Sequence, residues 1–237
     1  MYKRILILLI LLIPVVATAQ KAKPKNDSNY DERLLHFGFS MGLNTMDFIP
    51  KMDPSDINNL TAEVVSLKPG INIQIVVDYR PATYFDVRFL PGVSFGQRNI
   101  DFYQKVDTTY VPYGESQQLE SSFLEFPVLV KTKGMRLNNS RPYLIGGINF
   151  RYDLAAKKEY DEDSEVYMRL RKADLYYEIG AGIDFYLPYF KLTIEAKMSN
   201  GLRDVLVHDA PHPYHPEYVN AIESLKSQIW VLSLHFE

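Results

Sequence analysis

The 237 residues contain no cysteine. That excludes disulfide staples, thiolate metal centres, a cysteine nucleophile and a lipid-bearing cysteine anchor. Excess charge is lacking too: 26 Lys and Arg stand against 29 Asp and Glu, a formal net charge of -3, so there is no electrostatic footprint for nucleic acid. Beyond residue 16 no segment approaches the roughly 18 uninterrupted apolar residues of a membrane helix. Apolar and aromatic residues are not scarce in total. At 46% and 13% they suffice for an ordered fold, and disorder as the dominant state is excluded.

The one sustained apolar run lies at the start. Lys3 and Arg4 precede Ile5 to Val16, and Ala17-Thr18-Ala19 follow before Gln20. A short positive region, an apolar stretch and a small-residue cleavage site make residues 1–19 a secretory signal peptide. The run is short of the ~20 residues a transmembrane helix needs. Losing Lys3 and Arg4 takes the net charge from -3 to -5.

Downstream, "LLHFGFSMGLN" at residues 34–44 alternates Leu35, Phe37, Phe39, Met41 and Leu43 with His36, Gly38, Ser40, Gly42 and Asn44. A period of two belongs to a β-strand, whose successive side chains point to opposite faces. The pattern returns in seven further runs, at 70–80, 85–96, 123–131, 142–152, 175–186, 190–199 and 229–237. In a soluble sheet the apolar face would be the core. In an outer-membrane barrel it would meet lipid, with the small polar face lining the interior.

The polar face carries Asp78, Asp86, Glu125, Glu178, Asp184 and Glu195, balanced by Arg80, Arg88, Lys131, Arg151, Lys191 and Lys197. On a soluble sandwich these would be a solvated exterior. Interleaved glycines argue for a crowded interior instead, since Gly weakens an exposed strand. Each run is close to the 9 to 11 residues, tilted about 45°, that cross a bilayer. The connections alternate between long and short, beginning with about 25 residues after the first run. Hairpin barrels with short periplasmic turns and longer outer loops have this rhythm. The expected fold is all-β: an eight-stranded antiparallel up-and-down transmembrane β-barrel over 34–237, in the outer membrane and in contact with its lipid. Both termini would be periplasmic, and residues 20–33 would form a periplasmic N-terminal segment. A secreted soluble β-protein is the alternative. Pro91 and Pro127 lie inside runs and predict a bulge or local break at each. Residues 97–121 keep some alternation through Ile100 and Phe102, which predicts a hairpin extending strands three and four above the membrane.

Three segments, "YDERLLHFGFSMGLNTMDF" at 30–48, "SFLEFPVLVK" at 122–131 and "RPYLIGGINFRYDL" at 141–154, make the chain resemble the PorT proteins of Bacteroidetes. The "LEFPVLVK" element is common to a broader PorT-like group of barrels; the entry at 36–48 points to the narrower family. The resemblance implies an outer-membrane component required for type IX protein secretion and, in some members, gliding motility. Its partners would be other components of that system. No catalytic motif belongs to the family, so no catalytic, cofactor-binding or metal-binding residues, no enzyme activity and no small-molecule substrate are expected.

Eight strands enclose a lumen that side chains fill, so a protein cargo cannot pass through it. Assembly, stabilisation or docking is then the expected role, with a surface adhesin as alternative. In "VHDAPHPYHPEY" at 207–218, His208, His212 and His215 beside Asp209 are residue types that suit zinc or copper, though three nearby prolines indicate a stiff loop. Ser199 with His208 is a sequence-only candidate for a nucleophile and base in a lipid-modifying enzyme. The mixed-charge stretch 157–172 is expected to be an external loop, solvated or a docking surface.

Overall fold

A computed structural model describes residues 26, 30, 32–54, 59–64, 67–114, 116–156, 166–209 and 211–237. The expected signal peptide, most of the expected N-terminal segment and much of the 157–172 stretch lie outside them.

Among the described residues there are eleven strands: β1 (Leu35–Met52), β2 (Leu60–Glu63), β3 (Pro69–Ala82), β4 (Phe85–Phe89), β5 (Gly92–Val106), β6 (Thr109–Pro112), β7 (Gln117–Lys133), β8 (Ser140–Asp153), β9 (Ala173–Tyr186), β10 (Lys191–Gly201) and β11 (Ile222–Phe236). Every ladder is antiparallel. β1 pairs with β3 on one side and with β11 on the other, which closes the sheet on itself. Counting β4 and β5 as one interrupted stave, the wall has the eight staves expected. One end gathers the short connections 83–84, 134–139 and 187–190 together with the start of β1 and the end of β11; the other carries 53–68, 107–116, 154–172 and 202–221.

The polarity is inverted, as a lipid-facing wall requires. Phe37, Phe39, Leu43, Ile73, Ile75, Ile148, Ile179, Ile194 and Leu232 are exposed, while all twelve charged residues assigned to the inner face are buried. Exposed aromatics collect toward both ends: Tyr79, Tyr84, Phe85, Tyr189 and Phe190 near the short turns, and Phe95, Tyr152, Tyr177 and Trp230 nearer the long loops. Such girdles mark the two interfaces of a membrane barrel. Interior space is as tight as the glycines suggested. A Cβ on Gly182 would fall 2.5 Å from the hydroxyl oxygen of Tyr143, whose ring lies across that position.

The two prolines behave differently from the expectation of a break at each. Phe89 faces Val128 and Gly92 faces Glu125 in one constant register, so Leu90 stands opposite Pro127. On the other flank, Val77 faces Phe89 and Gln74 faces Gly92, which sets Pro91 opposite Ile75. Leu90 N–H donates to the Pro127 carbonyl at 3.2 Å, and Ile75 N–H to the Pro91 carbonyl at 2.9 Å. In each pair the return bond is the one that proline cannot make. Both missing bonds, from Pro127 to the Leu90 carbonyl and from Pro91 to the Ile75 carbonyl, therefore involve the single dipeptide Leu90–Pro91, where the stave breaks, and β7 runs through Pro127 uninterrupted.

Beyond the lipid-facing band, β5 and β7 continue as the expected hairpin. β6 pairs with β5 at its tip, and β2 adds to the opposite edge at Asp101–Gln104. Beneath this sheet lies an apolar cluster that the alternation did not reveal. Phe48, Leu60, Ile100, Phe102, Leu119, Met168, Leu170 and Leu206 pack with Tyr218 and Val219 of a short helix, α1 (Glu217–Asn220).

Phe39 sits mid-way along the lipid-facing part of β1, its ring 4.9 Å from that of Phe236. Phe39→Arg is expected to cost roughly 2 to 4 kcal/mol of folding free energy, the penalty for a cation near the bilayer midplane, and Phe39→Leu much less. Urea titrations of the protein refolded into lipid vesicles measure both; equal midpoints would mean that this face does not meet lipid.

Candidate functional site

The strands bring the charges of the inner face into two linked networks. In the middle of the barrel, the Arg151 guanidinium from β8 donates to Glu125 at 2.7 Å, to Glu178 at 3.1 Å and to the Ser199 hydroxyl at 2.8 Å. Gln74 and Ser94 complete Glu125, and Asn149 and Lys197 complete Glu178. Toward the short-turn end, Arg88 bridges Asp78 at 2.6 Å and Glu237 at 2.8 Å, and Lys191 holds the other Glu237 oxygen at 2.7 Å. Lys131 pairs with Asp184, and both Arg80 and Lys133 with Asp86. Tyr143 donates to Glu195, which stands 3.6 Å from His235.

Sequence reasoning found twelve of these charges and missed Arg98, Lys133, Arg141, Asp153, Asp174 and Glu237. Five of them continue the inward period of a strand past the end that was read, as Lys133 follows Lys131 and Asp153 follows Arg151, and Glu237 closes the last run in step with His235. That parity was the available signal. With them, nine enclosed acids face nine enclosed bases among the described residues. The space between Asn44, Asn72, Gln74, Glu125, Arg151 and Lys197 has no room for a water-sized sphere. Another gap, beside Arg98, Asp153 and Tyr176, offers about 10 Å³, one water at most.

Tyr30 closes the short-turn end. Its ring stacks on His36 at 4.0 Å and its hydroxyl donates to Glu237 at 2.9 Å. Asn26 is tied to Asn139 and to the Tyr186 carbonyl. The segment preceding β1, expected as a periplasmic extension, thus contributes a stopper to the barrel. At the opposite end, the Arg98 guanidinium lies 4.2 Å over the Phe48 ring and bonds Ser121 and Ser227, joining the polar lumen to the apolar cluster above it.

Of the histidines of 207–218, His212 and His215 come together, their rings stacked at 5.7 Å, and His208 is held apart by another partner. His208 meets Asp204 at 2.8 Å, His215 meets Glu217 at 3.0 Å, and His212 Nδ1 accepts the backbone N–H of Tyr214 and His215. Among the described residues, no group of three His, Cys, Asp or Glu could hold a metal ion. Nor do Ser199 and His208 meet: Ser199 is buried in the lumen with Glu178 and Arg151, and His208 lies in the long loop with Asp204.

Asp204 clamps that loop to β11. Partial burial pushes its carboxyl up, but N–H donors from Leu225 at 2.9 Å and Leu206 at 3.1 Å, with His208, outweigh this and hold it below the ordinary carboxylate value. A depressed acid stabilises fully above its unfolded pKa, and the contribution is lost as pH falls through the folded value. Hydrogen exchange at Leu206 and Leu225, corrected for the intrinsic pH dependence, should show protection steady at neutral pH and falling only below about pH 4. Asp204→Ala, which removes the acceptor of both N–H groups, should lose it already at pH 7; unchanged protection would remove Asp204 as the clamp.

Buried and exposed pairs should differ sharply. Arg151→Ala strands Glu125 and Glu178 without their shared cation and is expected to cost about 3 to 5 kcal/mol. Lys51→Ala breaks the exposed pair with Glu223, and less than about 1 kcal/mol is expected. The same vesicle-refolding titration reads both, and similar values would contradict an enclosed network.

Several solved outer-membrane proteins are similar in fold. OprG of Pseudomonas aeruginosa shares 15% identity over 84% of this chain and 93% of its own, with a TM-score of 0.45. Neisserial surface protein A shares 9% over 85% and 97%, with a TM-score of 0.41. AlkL, solved in lipid bilayers, shares 11% over 92% and 94%, with a TM-score of 0.40. No curated protein matches the chain. The model of the outer membrane protein beta-barrel domain family matches residues 18–207. With a closed, inverted, charge-lined wall behind that match, the chain belongs to the outer membrane protein β-barrel domain family, and its place is the outer membrane.

Proposed function

We propose that this barrel is a non-enzymatic component required for type IX protein secretion, acting in assembly, stabilisation or docking and not as the conduit. The observation that carries the negative half is the filled lumen: a network of paired side chains with no room for a water-sized sphere at its middle cannot pass a polypeptide. The positive half rests on the PorT-like segments at 30–48, 122–131 and 141–154. In this reading residues 1–19 are removed as a signal peptide, the short-turn end faces the periplasm and the long loops face outward, as in hairpin barrels generally. Partners would be other type IX components, met through the two ends.

A second reading, a surface adhesin, draws support from the ordered headpiece of β2, β5, β6 and α1 over its own apolar cluster. Deletion of the gene separates the two. The secretion reading expects cargo with type IX C-terminal signals to be retained in the periplasm, and gliding to fail where the cell glides. Normal secretion with reduced surface attachment would favour the adhesin. In planar bilayers the purified barrel should give no steady conductance, and a large stable pore would overturn the filled-lumen mechanism.

A further inference from the structure

We propose that the rim of β9, β10 and β11 at the long-loop end binds the phosphate-bearing headgroups of outer-leaflet lipid. This rests on the orientation proposed above. Past the paired ends of β9 and β10 the two chains stay side by side: Leu202 N–H donates to the Leu175 carbonyl at 2.9 Å, Arg171 N–H to the Val205 carbonyl at 2.7 Å, and Leu170 bridges Leu206. The pairing slips by one residue between those bonds, at a bulge that holds Arg203 beside Ala173 and Asp174, so the exposed Arg171 and Arg203 lie on the two strands that flank it. On the other flank, Val205 N–H donates to the Leu225 carbonyl at 2.9 Å, which brings the exposed Lys226 to the same rim. Half-buried Lys172 adjoins Arg171.

Acids near this rim are turned to other partners. Asp174 accepts the backbone N–H of Leu175 and Arg203, Asp204 is held by Leu206, Leu225 and His208, Glu223 pairs with Lys51, and Asp47 accepts the Phe48 N–H. Immediately toward the lipid band lie exposed Leu202, Tyr177 and Trp230. The cations therefore sit just above an apolar and aromatic girdle, the level of lipid headgroups. Guanidinium forks match phosphate oxygens in pairs, and the acyl chains of the same lipid would lie along Tyr177 and Trp230. A charged rim continuous with a lipid-facing wall fits a phosphorylated lipid better than a free anion, which would gain nothing from the girdle.

The test titrates the full-length protein in neutral detergent with diphosphorylated lipid A, with the same lipid after removal of both phosphates, and with inorganic phosphate. Wild type should bind the phosphorylated lipid roughly tenfold or more tighter than an Arg171→Ala, Arg203→Ala, Lys226→Ala variant, the loss expected on removing several charge-assisted contacts. The two proteins should not differ toward the dephosphorylated lipid. Equal affinity of wild type and variant for the phosphorylated form would overturn the site, and inorganic phosphate binding as tightly as the lipid would overturn the lipid assignment. Heat-modifiable migration checks folding. If the triple variant fails it, Arg171→Glu alone reads the same difference. Labelling of Tyr214→Cys on intact cells reports orientation separately, so a wrong topology and an absent site give different results.

Discussion

A carboxylate or ammonium enclosed by a wall with lipid on its far side gives up its hydration and has to be compensated by charges and hydrogen-bonding groups within the same lumen. The rest of the barrel follows from this constraint. Among the described residues nine acids and nine bases are enclosed, and the principal carboxylates are held from more than one side. Glu178 meets Arg151, Lys197, Asn149 and Ser199; Glu125 meets Arg151, Gln74 and Ser94. Most of these contacts tie neighbouring staves of the run β7 to β10, whereas Arg88 of β4 reaches Glu237, just past the end of β11 and 149 residues away, and that pair forms only once the sheet has closed. The desolvation cost of so many ions means that the network specifies one closed arrangement more than it adds net stability. The apolar outer face, which lipid accepts, supplies the favourable environment.

The two ends solve the sealing problem by different chemistry. At the short-turn end the stopper is an aromatic with a polar tip: Tyr30 stacks on His36, lies under Lys191 at 4.5 Å and delivers its hydroxyl to Glu237. The charge network thus continues up to the stopper. At the long-loop end the network stops at Arg98, whose guanidinium keeps Asp153 at 3.7 Å and lies against the faces of Phe48 and Phe123, and above it the packing is that of a small soluble core. An outer headpiece with its own apolar core is stabilised by burial in water, independently of the lipid that stabilises the wall. The barrel is therefore a composite of two solvents' rules, joined at one arginine.

This division also decides what the sequence could disclose. Staves that obey a strict period of two between lipid and lumen were legible to within a few residues, and with them the inverted polarity, closure and twelve lumen charges. Of the headpiece, alternation through Ile100 and Phe102 disclosed the hairpin of β5 and β7 but not the cluster beneath it, because Phe48, Ile100 and Phe102 bury apolar groups on the side that the barrel pattern reserves for polar ones. Tyr30 was illegible for another reason: a lone aromatic in a polar stretch carries no periodicity, and its role depends on Glu237, 207 residues away. Pro91 and Pro127 were each read alone, whereas their effect depends on the cross-strand register that makes them share one interruption.

A filled lumen moves every functional argument to the surfaces. Substituting a residue at the centre of the lumen would disturb folding before it disturbed any partner, since Arg151, Glu125 and Glu178 each hold several others. The exposed turns, the headpiece and the rim above the girdle can vary without touching that network, because Arg98 and Tyr30 insulate it from both ends. A component that must remain folded while larger partners assemble around it benefits from such separation: the wall is specified by charges that partners never meet, and docking is left to residues whose exchange costs the wall little. The exposed Lys51–Glu223 pair and the enclosed Arg151 cluster mark the two regimes in one strand system. The first answers to solvent and salt, and the second only to whether the barrel is closed.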